Sequence, residues 1–434
     1  MSIAAFRYEF ERYVAIIEQA FDQLDDAQLL KQPFPGGTSV TGLLTHASSF
    51  LTARFADLLS VDSNNRPWRD HQADLASTKS RAIVRSEWEV ALATVRGELA
   101  RLRDSDLGAP LRLGSHDPQP TLAEGLSRFG SHIAYHAGQI VSAARAILGS
   151  AWKPLAAKPL RQPLEHHLVT GAHGPIGVAV ARPTGAGPHP AVIIGQEGLG
   201  VTGHLLGLAH RFAQAGYLAV VPDLYSRDLA RRNLHETEVL AYLPLARNAD
   251  PAAAIAALPE RQQAAARRVV GWFAGRDTAA YAGDFAATLA WTGQRSDVRA
   301  QHLGAIGFSF GGGLVAQLAA SGAPLAAAVV VYGQLPSAAQ AAGLKAPVLG
   351  HFAGEDQAIN ANIPAFAEAV ASRGGSFAHT IHPGTKHGFF SETRPVFDAA
   401  ASERVWQSVL GFYATHLQAR KAATAAASVV AEKR

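Results

Sequence analysis

The chain has 434 residues, too many for one ordinary domain, so two or three are expected. Hydrophobic residues make up 48% and charged ones 17%, which allows a sizeable core and excludes global disorder. The net charge of +4 is small and forms no basic stripe, which argues against nucleic acid as a partner, and the absence of cysteine excludes disulfides, thiolate metal sites and a cysteine nucleophile.

The N-terminus, MSIAAFRYEFERY, mixes charges from residue 7 onward and has no continuous apolar h-region. No apolar run approaches the roughly 18 residues of a membrane span. The expectation is a cytoplasmic protein with no membrane partner.

Up to about residue 150, apolar residues recur at three- and four-residue spacing in AAFRYEFERYVAIIEQAFDQL, TGLLTHASSFLTARFADLL, SEWEVALATVRGELARL and TLAEGLSRFGSHIAYHAGQIVSAARAIL. PFPGG separates the first two, and LGAPLRLGSHDPQP separates the last two. Four amphipathic helices with such breaks predict an all-α four-helix bundle over residues 1–151.

The fourth segment contains His132 and His136, four residues apart, which places both on one helix face. Neutral imidazoles so spaced suit two ligands to one metal ion. His46, in the middle of the second helix, is a third candidate, because facing helices of a bundle can converge ligands in the core. With 18 histidines in the chain, a chance pair or an ordinary partly buried histidine is the competing explanation. The four helices, the mid-helix histidine and HIAYHAGQI together resemble the DinB/YfiT-like superfamily over about residues 5–150. The resemblance implies that His46, His132 and His136 bind a divalent metal, zinc or nickel, with Tyr135 nearby. It leaves open a non-catalytic binding or dimerisation module, hence a homodimer, and a metal-dependent thiol transferase.

WKPLAAKPLRQPLE holds three prolines and few apolar periods, and places a linker at residues 152–163. From residue 164 the texture changes. PAVIIG, LAVVPDLY, LGAIGFS, AAAVVVYG and APVLGHFAG are short apolar runs ending in glycine or polar residues, interleaved with helical patterns. They predict buried strands of a mainly parallel α/β sheet over residues 164–419. Residues 420–434 form an Ala/Lys-rich tail.

Within that second region, Gly307-Phe308-Ser309-Phe310-Gly311 fits G-x-S-x-G between an apolar strand and a helical pattern, the setting of a nucleophile elbow. Asp356 follows a later strand, and His387 lies in a loop beyond the next. The order serine, acid, histidine is that of the α/β-hydrolases. Glu355 is an alternative acid and His382 an alternative base. A serine hydroxyl needs such a base to act as a nucleophile.

AVIIGQEGLGVTGHLLGLAHRFAQAGYLAVVPDLYS, GFSFGGG, GEDQ and KHGFF resemble the dienelactone hydrolase family over about residues 164–418. The resemblance implies an α/β-hydrolase fold and a Ser309–His387–Asp356 triad acting on a small ester or lactone. It further implies an oxyanion hole from the backbone N–H groups of Phe310 and Gly198, and an auxiliary Glu197. No cofactor is implied for this domain. Two departures bear on the substrate. Well-known members carry cysteine where Ser309 stands. Arginines that bind a substrate carboxylate in dienelactone-specific members have no clear match here, since Arg394 comes later than expected. A broader carboxylic-ester or lactone substrate is therefore expected. Residues 226–280 are the expected lid, with Tyr242 or Arg261 near the pocket, and Glu197 has the alternative role of capping the helix that follows it.

Overall fold

The structure is a computed structural model that describes residues 2–56, 58–59, 70–111, 119–156, 162–228, 231, 234 and 236–418. The expected tail at 420–434 and part of the expected linker, 157–161, lie outside the described residues. The chain divides into two compact units, residues 1–167 and 168–434.

The first unit is built on four long helices, α1 (Ile3–Asp22), α2 (Val40–Phe55), α3 (Arg81–Arg101) and α4 (Leu122–Leu148). Their starts follow capping chemistry. The Ser2 and Ser39 hydroxyls accept from backbone N–H groups of the first turn, and Thr121 forms a reciprocal capping box with Glu124. The apolar stripes bury Phe10, Phe21, Phe55, Trp88 and Phe129 in one core. Two short helices, Asp26–Leu30 and His71–Leu75, are additional to the four expected. Each is nucleated by an aspartate, Asp25 or Asp70, whose carboxylate accepts from the first-turn N–H groups.

The second unit contains an eight-stranded sheet: β1 (Glu165–Gly171), β2 (Gly174–Ala181), β3 (His189–Gly195), β4 (Leu218–Asp223), β5 (Val298–Phe308), β6 (Ala327–Val331), β7 (Val348–Ala353) and β8 (Phe377–His382). The strand order is β1-β2-β4-β3-β5-β6-β7-β8. β2 runs antiparallel to β4, whereas the pairings from β4 through β3 to β8 are parallel. The central strands are apolar on both faces because helices cover both, as for β6 with five consecutive buried residues. The first two strands escape the apolar-run criterion, since β1 is rich in histidine and polar residues and β2 is broken by glycine. Covering helices include α5 (Gly203–Gln214), α6 (Glu260–Ala274), α7 (Thr278–Gly293), α8 (Phe310–Ala320), α9 (Ile363–Ala371) and α10 (Ala399–His416). Among the described residues no helix is long and apolar enough to cross a membrane.

Candidate active site and candidate metal centre

The elbow is a backbone feature before it is a chemical one. β5 ends at Phe308, α8 begins at Phe310, and Ser309 between them has φ +52°, a left-handed conformation that non-glycine residues rarely adopt. Such a residue costs on the order of 1–3 kcal/mol and persists only where its surroundings hold it. Two hydrogen bonds do so: Ser309 N donates to Val331 O at 3.0 Å, and Gly311 N donates to Gln196 O at 2.9 Å. The flanking glycines have a steric cause. A Cβ on Gly307 would lie 2.0 Å from Gly311 O, and one on Gly311 would lie 2.3 Å from the carbonyl carbon of Gly195.

The turn presents Ser309 Oγ to His387 Nε2 at 2.7 Å. On the other side of the ring, His387 Nδ1 lies 2.5 Å from Asp356 Oδ2. Asp356 directly follows β7 by three residues and His387 follows β8 by five, so three parallel strands deliver the three groups to one end of the sheet.

Neither alternative partner is there. The Glu355 side chain is half exposed and faces Lys386 at 4.0 Å. His382 is buried, with Nε2 3.2 Å from His351 Nδ1. Burial and the neighbouring ring push His351 down to about 4, and burial also lowers His382.

Ser309, His387, Asp356, Phe310, Gly198 and Glu197 all line one cavity of about 650 Å³. Glu197 is 3% exposed and does not cap α5, whose N-cap is Thr202. Its Oε1 accepts a hydrogen bond from Tyr332 Oη at 3.1 Å and lies 3.5 Å from Arg394 Nη1. Burial, then the adjacent carboxylate, pushes the Tyr332 hydroxyl well above its ordinary range, so it stays a donor. Tyr332 is itself in a left-handed conformation, at φ +39°.

The segment expected as a lid does contribute walls, through Leu240, Leu243, Pro244 and Phe273, with Arg276 just beyond α6. Tyr242 and Arg261 are not among the lining residues. Tyr242 packs against the hydrophobic core, and Arg261 is exposed on the first turn of α6. Two guanidinium groups, those of Arg276 and Arg394, do line the cavity. Arg276 is stacked 3.6 Å from the Phe273 ring centroid, and its Nε donates to Phe273 O at 3.2 Å. Spacing from His387 argued against Arg394. The loop after β8 contains two turns, in which Ser391 N donates to Gly388 O and Arg394 N to Ser391 O, and these turns bring it back to Glu197. Arg276 and Tyr332 carry no local signal in the sequence, because each reaches the cavity only through the packing of elements far apart in the chain. A second, uncharged groove of about 400 Å³ shares Ser309, Phe310 and Gln334 with the first and continues along Ala279, Ala282 and Leu314.

In the first unit, His46 of α2 meets His132 and His136 of α4. The three rings offer ligand atoms that all lie within 4.8 Å of one another. His46 and His136 are buried, and the Nε2 atoms of His132 and His136 are 3.1 Å apart. Phe50 stacks on His132 at 3.8 Å, and Asp74 Oδ2 is 3.9 Å from His46 Nδ1. Three converging imidazoles with two facing Nε2 atoms are a donor set that fits a borderline divalent cation. Asp74 and Gln139 are neighbours of the cluster that spacing arguments passed over.

A mostly parallel sheet, a strand–turn–helix elbow at its centre and a covering of helices on both faces define the second unit as an α/β-hydrolase. Residues 176–417 match the family model "Dienelactone hydrolase family", and residues 2–159 match "Protein of unknown function (DUF1572)", a DinB-like family. Proteins named "Putative carboxymethylenebutenolidase" from Saccharolobus solfataricus and Escherichia coli K12 are 29% and 28% identical. The alignments cover 52% of this chain in both cases, and 89% and 77% of those proteins. A solved structure titled "Putative Dienelactone Hydrolase" from Klebsiella pneumoniae aligns with TM-score 0.46 and 25% identity over 58% of this chain and 98% of that one. The chain belongs to the dienelactone hydrolase family, and its second unit is a hydrolase domain acting on ester or lactone bonds.

Proposed function

We propose that the second unit hydrolyses carboxylic esters or lactones through an acyl-serine intermediate, with Ser309 as nucleophile, His387 as base and Asp356 as its orienting acid. The observation that carries this reading is the chain of contacts from Ser309 Oγ to His387 Nε2 at 2.7 Å and from His387 Nδ1 to Asp356 Oδ2 at 2.5 Å. Nε2 takes the hydroxyl proton as Oγ bonds to the carbonyl carbon, and the carbonyl π electrons move to its oxygen. The backbone N–H groups of Phe310 and Gly198 are the proposed donors to that oxyanion. Collapse breaks the bond to the leaving oxygen, which receives the proton from Nε2. Water, deprotonated by the same nitrogen, then releases the acid and restores Ser309. Asp356 holds Nδ1–H throughout and stabilises the imidazolium.

Arg276 and Arg394 support a preference for substrates that carry a carboxylate beside the scissile bond. The groove that shares Ser309 with the main cavity leaves room for groups on both sides of the reacting carbonyl. The direct test is a panel of neutral and carboxylate-bearing p-nitrophenyl esters and simple lactones, assayed with the full chain and with Ser309→Ala. Turnover that disappears in the variant supports the reading; equal turnover in both overturns it.

For the first unit we propose a divalent metal site formed by His46, His132 and His136, for which the convergence of their ligand atoms is the support. A bound ion there would supply Lewis-acid polarisation of a ligand in its open positions. Phe50 and Asp74 border the same cluster and would orient His132 and His46. Metal content of the purified full chain, against His132→Ala, tests this.

A further inference from the structure

The metal reading leaves open which nitrogen each ring offers and what sets it. For His136 the surrounding helix answers both. Gln139, one turn on along α4, places its amide between two partners. Its Nε2 donates to Tyr135 Oη at 3.0 Å, and its Oε1 lies 2.8 Å from His136 Nδ1. An amide oxygen only accepts, so the Nδ1 it faces must carry the proton. A neutral imidazole protonated at Nδ1 keeps its lone pair on Nε2, which is the atom turned toward His132 Nε2.

The spacing makes this a device of one helix. Tyr135, His136 and Gln139 stand at i, i+1 and i+4, so the tyrosine and the histidine each lie within one turn of the glutamine. Tyr135 is 63% exposed and contributes little to the core, while His136 is buried. The tyrosine hydroxyl instead tethers the amide by accepting from its Nε2, which leaves Oε1 facing the histidine. With the amide reversed, its NH₂ would oppose Nδ1–H, and the ring would be driven to the tautomer whose Nε2 is protonated and unable to bind a cation.

We propose that Gln139, tethered by Tyr135, is a positioning residue for metal binding: it holds His136 in the Nδ1–H tautomer and commits Nε2 to the metal. The proposal rests on the three-histidine reading. It is distinct from it, since three histidines could converge with any tautomer.

The test is the affinity of the full chain for Co²⁺, measured by competition with a chromophoric chelator and by the visible absorption of the bound ion. Outer-shell partners of metal-bound histidines typically contribute 10- to 100-fold in affinity, so Gln139→Leu is expected to weaken Co²⁺ binding by about that factor. Gln139→Glu keeps an acceptor opposite Nδ1 and is expected to restore the affinity and the absorption spectrum. Tyr135→Phe, which removes the tether on the amide, is expected to fall between. Unchanged far-UV circular dichroism of the metal-free variants separates positioning from folding, and Gln139→Met, a close match in shape with no amide, replaces the leucine variant should that one unfold. Wild-type affinity in Gln139→Leu or Gln139→Met, alongside loss of binding in His132→Ala, would overturn this proposal and leave the three-histidine site standing. Equal Co²⁺ binding by the wild type and His132→Ala would overturn both.

Discussion

Tyr332 donates its hydroxyl to the Glu197 carboxylate across 3.1 Å, and both side chains are buried in the wall of the cavity that holds Ser309. Sequence separates them by 135 positions; β3 and β6, on either side of β5, bring them together. A buried carboxylate that loses a donor keeps its desolvation penalty, which costs about 1–3 kcal/mol. Tyr332→Phe is therefore expected to lower unfolding stability by that amount in urea titrations. An unchanged midpoint would show that Arg394 alone satisfies Glu197.

The absence of cysteine elsewhere makes Ser309→Cys an informative probe. The variant carries a single thiol, placed against His387. A neighbouring base or imidazolium lowers a thiol below its free value near 8.5. Titration with a thiol reagent across pH is expected to show one reactive group with an apparent pKa clearly below about 8.5. A value at or above that contradicts the contact between residues 309 and 387.

Arg276 is held by Phe273 and faces the cavity, so its removal should act on substrate charge. A hydrogen bond to a charged group contributes about 1.5–3 kcal/mol, corresponding to roughly 10- to 100-fold. Arg276→Ala is expected to raise KM by that factor for carboxylate-bearing esters and to leave neutral esters nearly unchanged. Equal effects on both substrate types would assign Arg276 a structural role.

The buried pair His351 and His382 predicts acid sensitivity. His351 is depressed in the folded state to about 4, below its ordinary 6.5. Between those values the unfolded chain binds more protons than the folded one, so stability rises with pH and is lost on acidification from about 6.5 toward 4. The stability lost by the acid end is on the order of 3 kcal/mol. Urea midpoints of the wild type between pH 7 and 4.5 should fall more steeply than those of His351→Leu. Parallel slopes would count against this.

Metal removal should act on the first unit. A cation present at 100 times its Kd stabilises by about 2.7 kcal/mol through linkage. Chelation is expected to remove that increment from the wild type and to leave His132→Ala unaffected. Thermal unfolding monitored with and without chelator measures the difference.

Much of the architecture is legible in the chain, because periodicity is a local property. The 3.6-residue stripes mark the bundle, and runs such as AAAVVVYG mark strands buried on both faces. β1 and β2 are less visible, since their pairing depends on β4 rather than on an apolar run of their own. The short helices Asp26–Leu30 and His71–Leu75 depend on single capping aspartates, a signal too brief for a periodicity test.

What the sequence alone determined is chemistry and order: a serine between glycines after a strand, an acid and a histidine behind it, and three histidines at bundle spacing. Glycine's missing Cβ makes the elbow possible, and that much is written locally. Which side chains meet was decided by tertiary structure. His382 and Glu355 stand as near in sequence to their sites as His387 and Asp356, yet packing turns one toward His351 and the other toward solvent. Arg394 and Arg276 reach one cavity from opposite sides of Ser309 in the chain. Spacing counts residues, whereas a cavity wall is set by which loops fold back over the strand ends. Only the three-dimensional path could therefore place two guanidinium groups in the wall of the cavity that holds the serine.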